Sequence, residues 1–351
     1  MNGAAREMPK SSDTLSAGER DTLKKSAAGA FISLLLLFDP AHAREYVLSD
    51  TDSVFGELTS VQSIYEETLL DIGRRHRLGY EEITLANPAV DAWIPGEGTV
   101  VSLPTQFVLP HAPRKGLVIN IAEYRMYYFV AKDDQVIIAT FPISIGRMDW
   151  QTPLGRSSIT NKVRKPAWYP PESIRAEWAA DGRELGSMVP PGPDNPLGEY
   201  ALRLSIPGYL IHGTNKPDGV GMQVTHGCIR MFPEDIEWLF PKIPLKTPVQ
   251  IVNQPSKMGW SGDDLFLEVH PAIAQPEDES TDRSLTEITE AYVKATTDHA
   301  AEVDWELVND VFQRQSGIPI KVGRRKNSMK QTPAETEALP ETVASEAAPA
   351  D

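Results

Sequence analysis

Apolar and polar residues alternate along two stretches in the middle of the chain, 116–130 (GLVINIAEYRMYYFV) and 135–145. The charged Lys132, Asp133 and Asp134 between them predict a β-hairpin. Further strands are expected over 157–163, 200–204 and 249–252, separated by Pro, Gly and aromatic residues. Helical signals are scarce here. PEDIEWLF at 233–240, with Pro in its first turn, reads as a good helix, and 172–180 as another. Residues 114–254 are therefore expected to form one mostly antiparallel β domain.

The pattern changes on either side. Upstream, 54–62 reads as a strand. TLLDIGRRHRL at 68–78 places apolar residues at 69, 70, 72 and 78 and suits an amphipathic helix. A second short helix over 80–86 stops at Asn87 and Pro88, and 99–103 with 106–109 closes a strand-helix-helix-strand module within 44–110. Pro110 to Pro113 reads as a linker, and His76 and His111 as surface histidines. Downstream, a strand over 265–270 and helices over 285–295 and 305–317 make a small appendage, 262–322. From 323 to 351, Lys, Glu, Ala, Pro, Thr and Ser without periodicity predict disorder.

The first 23 residues are polar. Lys24 and Lys25, the apolar run 27–38 and Ala41-His42-Ala43 then have the order of a secretory signal peptide, too short to span a bilayer. Cleavage is expected after Ala43, with 1–43 removed, and the long leader leaves Met8 or a later position open as the true start. The formal charge of −15 argues against nucleic-acid partners and against tight adhesion to anionic lipid. Export also changes the weight of one residue. Cys228 is the only cysteine, so no internal disulfide exists, and an exported free thiol is a liability unless it is used.

Cys228 lies in IHGTNKPDGVGMQVTHGCIRM, 211–231, sixteen positions after His212. A free thiol is mostly protonated at neutral pH and needs a base, and histidine is the usual one. The Gly-, Asn-, Pro- and Asp-rich stretch between them suits a loop joining adjacent segments. Gly227 leaves room for a substrate carbonyl, and the amides of Gly227 and Cys228, with His226, are candidates for holding an oxyanion. Arg230 is suited to a bidentate grip on a substrate carboxylate, its bland alternative being a surface salt bridge. Three other readings compete: a buried inert cysteine, a zinc site on His212, His226 and Cys228, for which no second cysteine exists, and a papain-like enzyme, in which the cysteine would precede its histidine.

His212-Gly213-Thr214, a loop, then Thr225-His226-Gly227-Cys228-Ile229-Arg230 resembles the signature of the L,D-transpeptidase (YkuD-type) family of bacterial cell-wall enzymes. The similarity extends through 116–128, 152–155 and 193–200, and so over about 116–252. The first module, above all ITLANPAVDAWIPGEGTVVSLP, resembles LysM modules, which bind peptidoglycan glycan. Its alternative is a packing or spacing unit.

The resemblance implies an α+β, mostly β architecture: a LysM-like βααβ module, an antiparallel β-rich catalytic domain and a C-terminal appendage. It implies Cys228 as nucleophile, His212 as base oriented by the Gly213 carbonyl, and Thr214, Thr225 and Arg230 on the substrate side. The segment 165–198 would overhang the cysteine, with Trp168 and Tyr169 bordering the channel and 193–198 turning beside the site. The implied substrate is a peptidoglycan tetrapeptide stem cut between meso-diaminopimelate and D-alanine in the periplasm. The acyl group would pass to another diaminopimelate, giving a 3-3 cross-link, or to a lysine of an outer-membrane lipoprotein. No metal or organic cofactor is implied, and carbapenems would acylate the cysteine. Hydrolysis of the same bond, as a carboxypeptidase or a lipoprotein-releasing amidase, and a non-catalytic wall-binding role stay open.

Overall fold

The computed structural model describes residues 45–49, 51–132, 135–273 and 285–326. The expected signal segment with its cleavage point, and the tail from 327 onward, lie outside them. Among the described residues no helix is long and apolar enough to cross a membrane.

Strand β1 (Glu45–Leu48) is followed by β2 (Val54–Gly56), β3 (Thr59–Gln62), α1 (Leu69–Arg75), α2 (Tyr80–Ala86), β4 (Val100–Leu103) and β5 (Gln106–Val108). Both helices match their expected places, and Thr68 caps α1 through a capping box with Asp71. The single strand expected over 54–62 is two. Gly56, at φ 78°, ends the first, β2 pairs with β5, and β3 pairs with β4. Strand β1 departs from the expected boundary: it pairs along β8 of the next domain rather than within 44–110.

The central domain runs through β6 (Gly116–Asn120), β7 (Arg125–Lys132), β8 (Gln135–Gly146), β9 (Gly155–Arg164), α3 (Glu172–Ala180), β10 (Tyr200–Leu204), β11 (Leu210–His212), β12 (Gln223–Thr225), β13 (Ile229–Met231), α4 (Pro233–Lys242) and β14 (Pro248–Val252). The run 116–130 is not one strand. A 3-10 turn over Ile121–Glu123 and a left-handed Tyr124 split it into β6 and β7. The sheet closes on itself in the order β8-β13-β11-β10-β9-β14-β6-β7-β8, which leaves little free edge. Most pairings are antiparallel. The parallel ones are β6 with β14, β8 with β12, and β11 with β13.

Two cores explain why β6 to β8 are apolar at nearly every position. Leu117, Ile119, Met126, Phe141 and Ile143 face an inner core shared with Ile236, Leu239 and Phe240 of α4. Val118, Tyr127, Phe129 and Ile138 face outward into a second core with Leu69, Ile72, Leu78, Ile83, Leu103 and Phe107. The N-terminal module is thus packed on the outside of the sheet, so its strands read as buried on both faces.

The appendage consists of β15 (Ser256–Ser261), β16 (Asp264–Val269), α5 (Thr286–Thr296), β17 (Ala301–Val303), α6 (Trp305–Arg314) and β18 (Ile320–Arg325) over its own core. Three of the four strands, β15, β17 and β18, differ from expectation. Strand β15 begins before 262, and β18 continues through 323–325, where disorder was expected. Gly323 there sits close enough to β17 that a Cβ would meet Val303 Cγ2 at 3.2 Å. Lys321 and Arg324 project to Asp264 at 2.8 and 3.3 Å, which accounts for the strand's polar composition.

Candidate active site

Parallel pairing of β11 with β13 builds the site, in the register Ile211↔Ile229 and His212↔Arg230. Side chains alternate along a strand, so Ile211 and Ile229 enter the inner core together while His212 and Arg230 share the opposite face. Cys228, one position before β13, lies level with Leu210 and on that same face. Strand geometry then places the Cα atoms of His212 and Cys228 roughly 8 Å apart on the diagonal, within reach of an imidazole. His212 is 5 % exposed, and Cys228 is partly buried, with Sγ 3.8 Å from the Gly208 carbonyl.

A tight turn presents the sulfur. Thr225 Oγ1 donates to the Cys228 carbonyl at 2.6 Å, and Thr152 Oγ1 donates to the Gly227 carbonyl at 3.0 Å while accepting from the Gly146 amide at 2.9 Å. Gly227 has φ 94°, and a Cβ there would come within 2.7 Å of the Tyr209 ring. Its bareness therefore serves the turn and the Tyr209 contact as well as any approach of substrate.

Residues 114–251 match the family model for the L,D-transpeptidase catalytic domain. The chain is 38% identical over 262 residues to the probable L,D-transpeptidase YcfS of Escherichia coli (strain K12), covering 73% of this chain and 81% of that protein. It is 36% identical over 265 residues to the probable L,D-transpeptidase ErfK/SrfK of Salmonella typhimurium (strain LT2), covering 73% and 82%. This chain belongs to the L,D-transpeptidase family. Among solved structures, the catalytic domain of the E. faecium L,D-transpeptidase aligns at 20% identity and TM-score 0.31, over 40% of this chain and 99% of that one.

The electrostatics of this transpeptidase keep both groups neutral at rest. Burial, with the Arg230 charge beside it, lowers His212 to about 4. Its Nδ1 lies 2.6 Å from the Gly213 carbonyl, which can only accept, so Nδ1 carries the proton and Nε2 is left as the basic atom. Burial pushes the Cys228 thiol up, against the Leu210 amide and Arg230, which favour the thiolate. Arg230 is itself lowered by burial. Its Nε is buried with no hydrogen-bond partner, and among the described residues no carboxylate pairs with it, so the salt-bridge alternative has no support.

The remaining expected residues scatter. Thr214 is buried and caps its own turn, accepting from the Lys216 amide at 2.9 Å. His226 points away from an oxyanion role: its Nε2 meets Glu177 Oε2 of α3 at 2.9 Å, and its ring lies edge-on to Trp150 at 5.3 Å. Trp168 pairs with Val189 through both backbone bonds, and Tyr169 is 68 % exposed. The 193–198 turn does adjoin the site, since a Cβ on Gly198 would meet the Thr214 amide at 2.8 Å. Buried Asn195 holds the turn by donating to the carbonyls of Pro166, Val189 and Pro190.

Sequence reasoning did not single out Glu177, Arg147, Trp150 or Tyr209. Arg147 Nη2 meets the other Glu177 oxygen at 2.8 Å, so a two-point latch, its Arg147 arm an ion pair, holds α3 beside the motif. His212, His226 and Cys228 do not form a ligand cluster among the described residues. Glu123, Glu268 and His270 do gather, with ligand atoms within 4.8 Å of one another. The Lys257 ammonium already bonds both carboxylates, supplying the positive charge a metal would bring.

Proposed function

We propose that this L,D-transpeptidase works as a cysteine acyltransferase on peptidoglycan tetrapeptide stems. His212 Nε2 takes the Cys228 proton, and the sulfur attacks the carbonyl between meso-diaminopimelate and D-alanine. The amide C–N bond breaks, a thioester forms, and D-alanine leaves with the proton carried by His212. An amine then attacks the thioester, forming a new amide and restoring the thiol. The amine belongs to a second diaminopimelate or to a lysine of an outer-membrane lipoprotein. The amides of Gly227 and Cys228 hold the oxyanion, which such donors commonly stabilise by a factor of about 10²–10³ each. The observation that carries this reading is the placement of a neutral imidazole and a thiol on one face of two adjacent strands, beside an arginine whose Nε is unpartnered.

Arg230 grips the carboxylate of the stem's terminal D-alanine, and Trp168 and Tyr169, on the strap that carries α3, border the approach. Segment 44–110 is read as a LysM-like glycan-binding module, supported by Tyr65 and Trp93, which stand 73 % and 61 % exposed. The limits 114–254 for the catalytic domain and a periplasmic location after loss of 1–43 belong to the same reading.

The test is incubation of residues 44–351 and the Cys228→Ala variant with disaccharide-tetrapeptides, alone and with an outer-membrane lipoprotein, with mass spectrometry of protein and products. A protein adduct of the stem less D-alanine, followed by a cross-linked dimer or a lipoprotein conjugate, is expected from the unaltered chain alone. A shortened stem released to water would instead identify a carboxypeptidase. Equal products from both proteins would overturn Cys228 as nucleophile.

A further inference from the structure

The loop covering Arg230 does not stand alone. Gly219 lies against the guanidinium, where an added Cβ would be 3.2 Å from Nη1, and its carbonyl accepts from Ser144 Oγ at 2.7 Å. Two residues on, the loop meets the corner between α1 and α2 of the N-terminal module. The amides of Tyr80 and Glu81 donate to the carbonyls of Val220 and Gly221 at 3.1 and 3.2 Å. Gly79 and Gly221 face each other so closely that a Cβ on Gly79 would come within 2.7 Å of Gly221 Cα. The same corner is tied to α4, which follows directly on β13. Arg74 makes a two-point bond to Glu234 at 3.0 and 3.2 Å, and buried Arg77 pairs with buried Asp235.

We infer that the N-terminal module is a working part of donor recognition: its Gly79–Glu81 corner sets the position of loop 217–221 and, through it, of the Arg230 guanidinium. This rests on the reading of Arg230 as the carboxylate grip. Gly79 to Glu81 are positioning residues and touch no substrate. A loop with only solvent behind it would let the guanidinium wander. One wedged between a helix corner and the arginine restricts that movement, and bidentate recognition depends on such placement.

The decisive measurement compares kcat/KM for a tetrapeptide stem ending in D-alanine with that for its C-terminal carboxamide, in residues 44–351. The ratio reports how the carboxylate is held and is insensitive to general loss of fold. Arg230→Gln is expected to bring the ratio close to one. Gly79→Ala forces the backbones apart and is expected to lower the ratio about 10-fold, mostly through KM for the acid, with kcat for the amide kept. Should Gly79→Ala not fold, Arg74→Gln, which frees the same corner at a half-exposed pair, is expected to lower the ratio about two-fold. An unchanged ratio in Arg230→Gln would sink the carboxylate grip and this inference with it. A collapsed ratio in Arg230→Gln with a wild-type ratio in a folded Gly79→Ala, or in Arg74→Gln if that stands in for it, would overturn the positioning role alone.

Discussion

Two of the buried polar clusters among the described residues are built on opposite principles. Around Lys257, an ammonium, two carboxylates, a histidine and a tyrosine bond to one another, with Glu123 Oε1 left without a partner. Lys257 bonds Glu123 and Glu268, Tyr127 donates to Glu123 at 2.9 Å, and His270 meets Glu268 at 2.7 Å. The Val108 amide and carbonyl close the network from the N-terminal module, so three segments of chain meet there. Around Cys228 the groups are kept neutral, and Arg230 Nε lacks a partner. Opposite charges paired within the first cluster hold modules together, whereas the Arg230 cation, with no carboxylate beside it among the described residues, is left to pair with an anion from outside.

The comparison can be broken first at its extremes. Cys228→Ala is expected to lower turnover by on the order of 10⁴-fold or more with thermal unfolding unchanged. Lys257→Met should do the reverse. It strands the Glu123 and Glu268 carboxylates, a loss of about 3–5 kcal/mol for removing one partner of a buried pair, while turnover per folded molecule stays near wild type. Denaturant unfolding beside active-site titration checks both. A stable, inactive Lys257→Met would erase the distinction.

Acid should separate the clusters by pH window. His212 is lowered from 6.5 to about 4, so between those values the folded chain binds fewer protons than the unfolded one. Its contribution to stability is complete above 6.5 and lost as pH falls towards 4. The acid limb of kcat/KM should therefore lie near pH 4 rather than near 6.5. Burial opposes the charge on Glu268, but Lys257 and His270 overcome it and hold the carboxyl below its usual range, while burial pushes its neighbour Glu123 up. The share of stability carried by Glu268 is present above its usual 4.5 and lost as pH falls below it. A profile with its acid limb near 6.5 would mean a solvated His212.

What the sequence revealed follows the same division. His212, Cys228 and Arg230 were legible as one group because they lie within one short stretch of chain, and α1 because local periodicity and its Thr68 cap decide it. The break at Ile121–Glu123 was hidden because an alternating reading of 116–130 makes it one strand, whereas β6 and most of β7 are buried on both faces. Strand β15 was hidden because Lys257 interrupts its apolar pattern, and its cross-strand partner Glu268, distant Glu123 and the Val108 carbonyl make that lysine acceptable there. Glu177 gave no signal at all, since its partners Arg147 and His226 come from elsewhere in the chain.

The smallest effect expected is at that latch. Glu177 grips His226 and Arg147 from α3, and hydrogen bonds from first His226 and then Arg147 hold its carboxyl below the usual range. The side chain is about one third exposed, so solvent and salt weaken the grip. Glu177→Gln keeps size and hydrogen bonding but removes the charge. It should speed iodoacetamide alkylation of Cys228 about two- to three-fold, in the range of an exposed ion pair, and raise KM for the stem by a similar factor. Raising salt should move the unaltered enzyme towards the variant and leave the variant unmoved, because only the former has an ionic latch to screen. Equal alkylation rates at low salt would mean that α3 rests on packing such as buried Ile174, and that the route to the sulfur is set by Tyr209 and the Gly208 carbonyl alone.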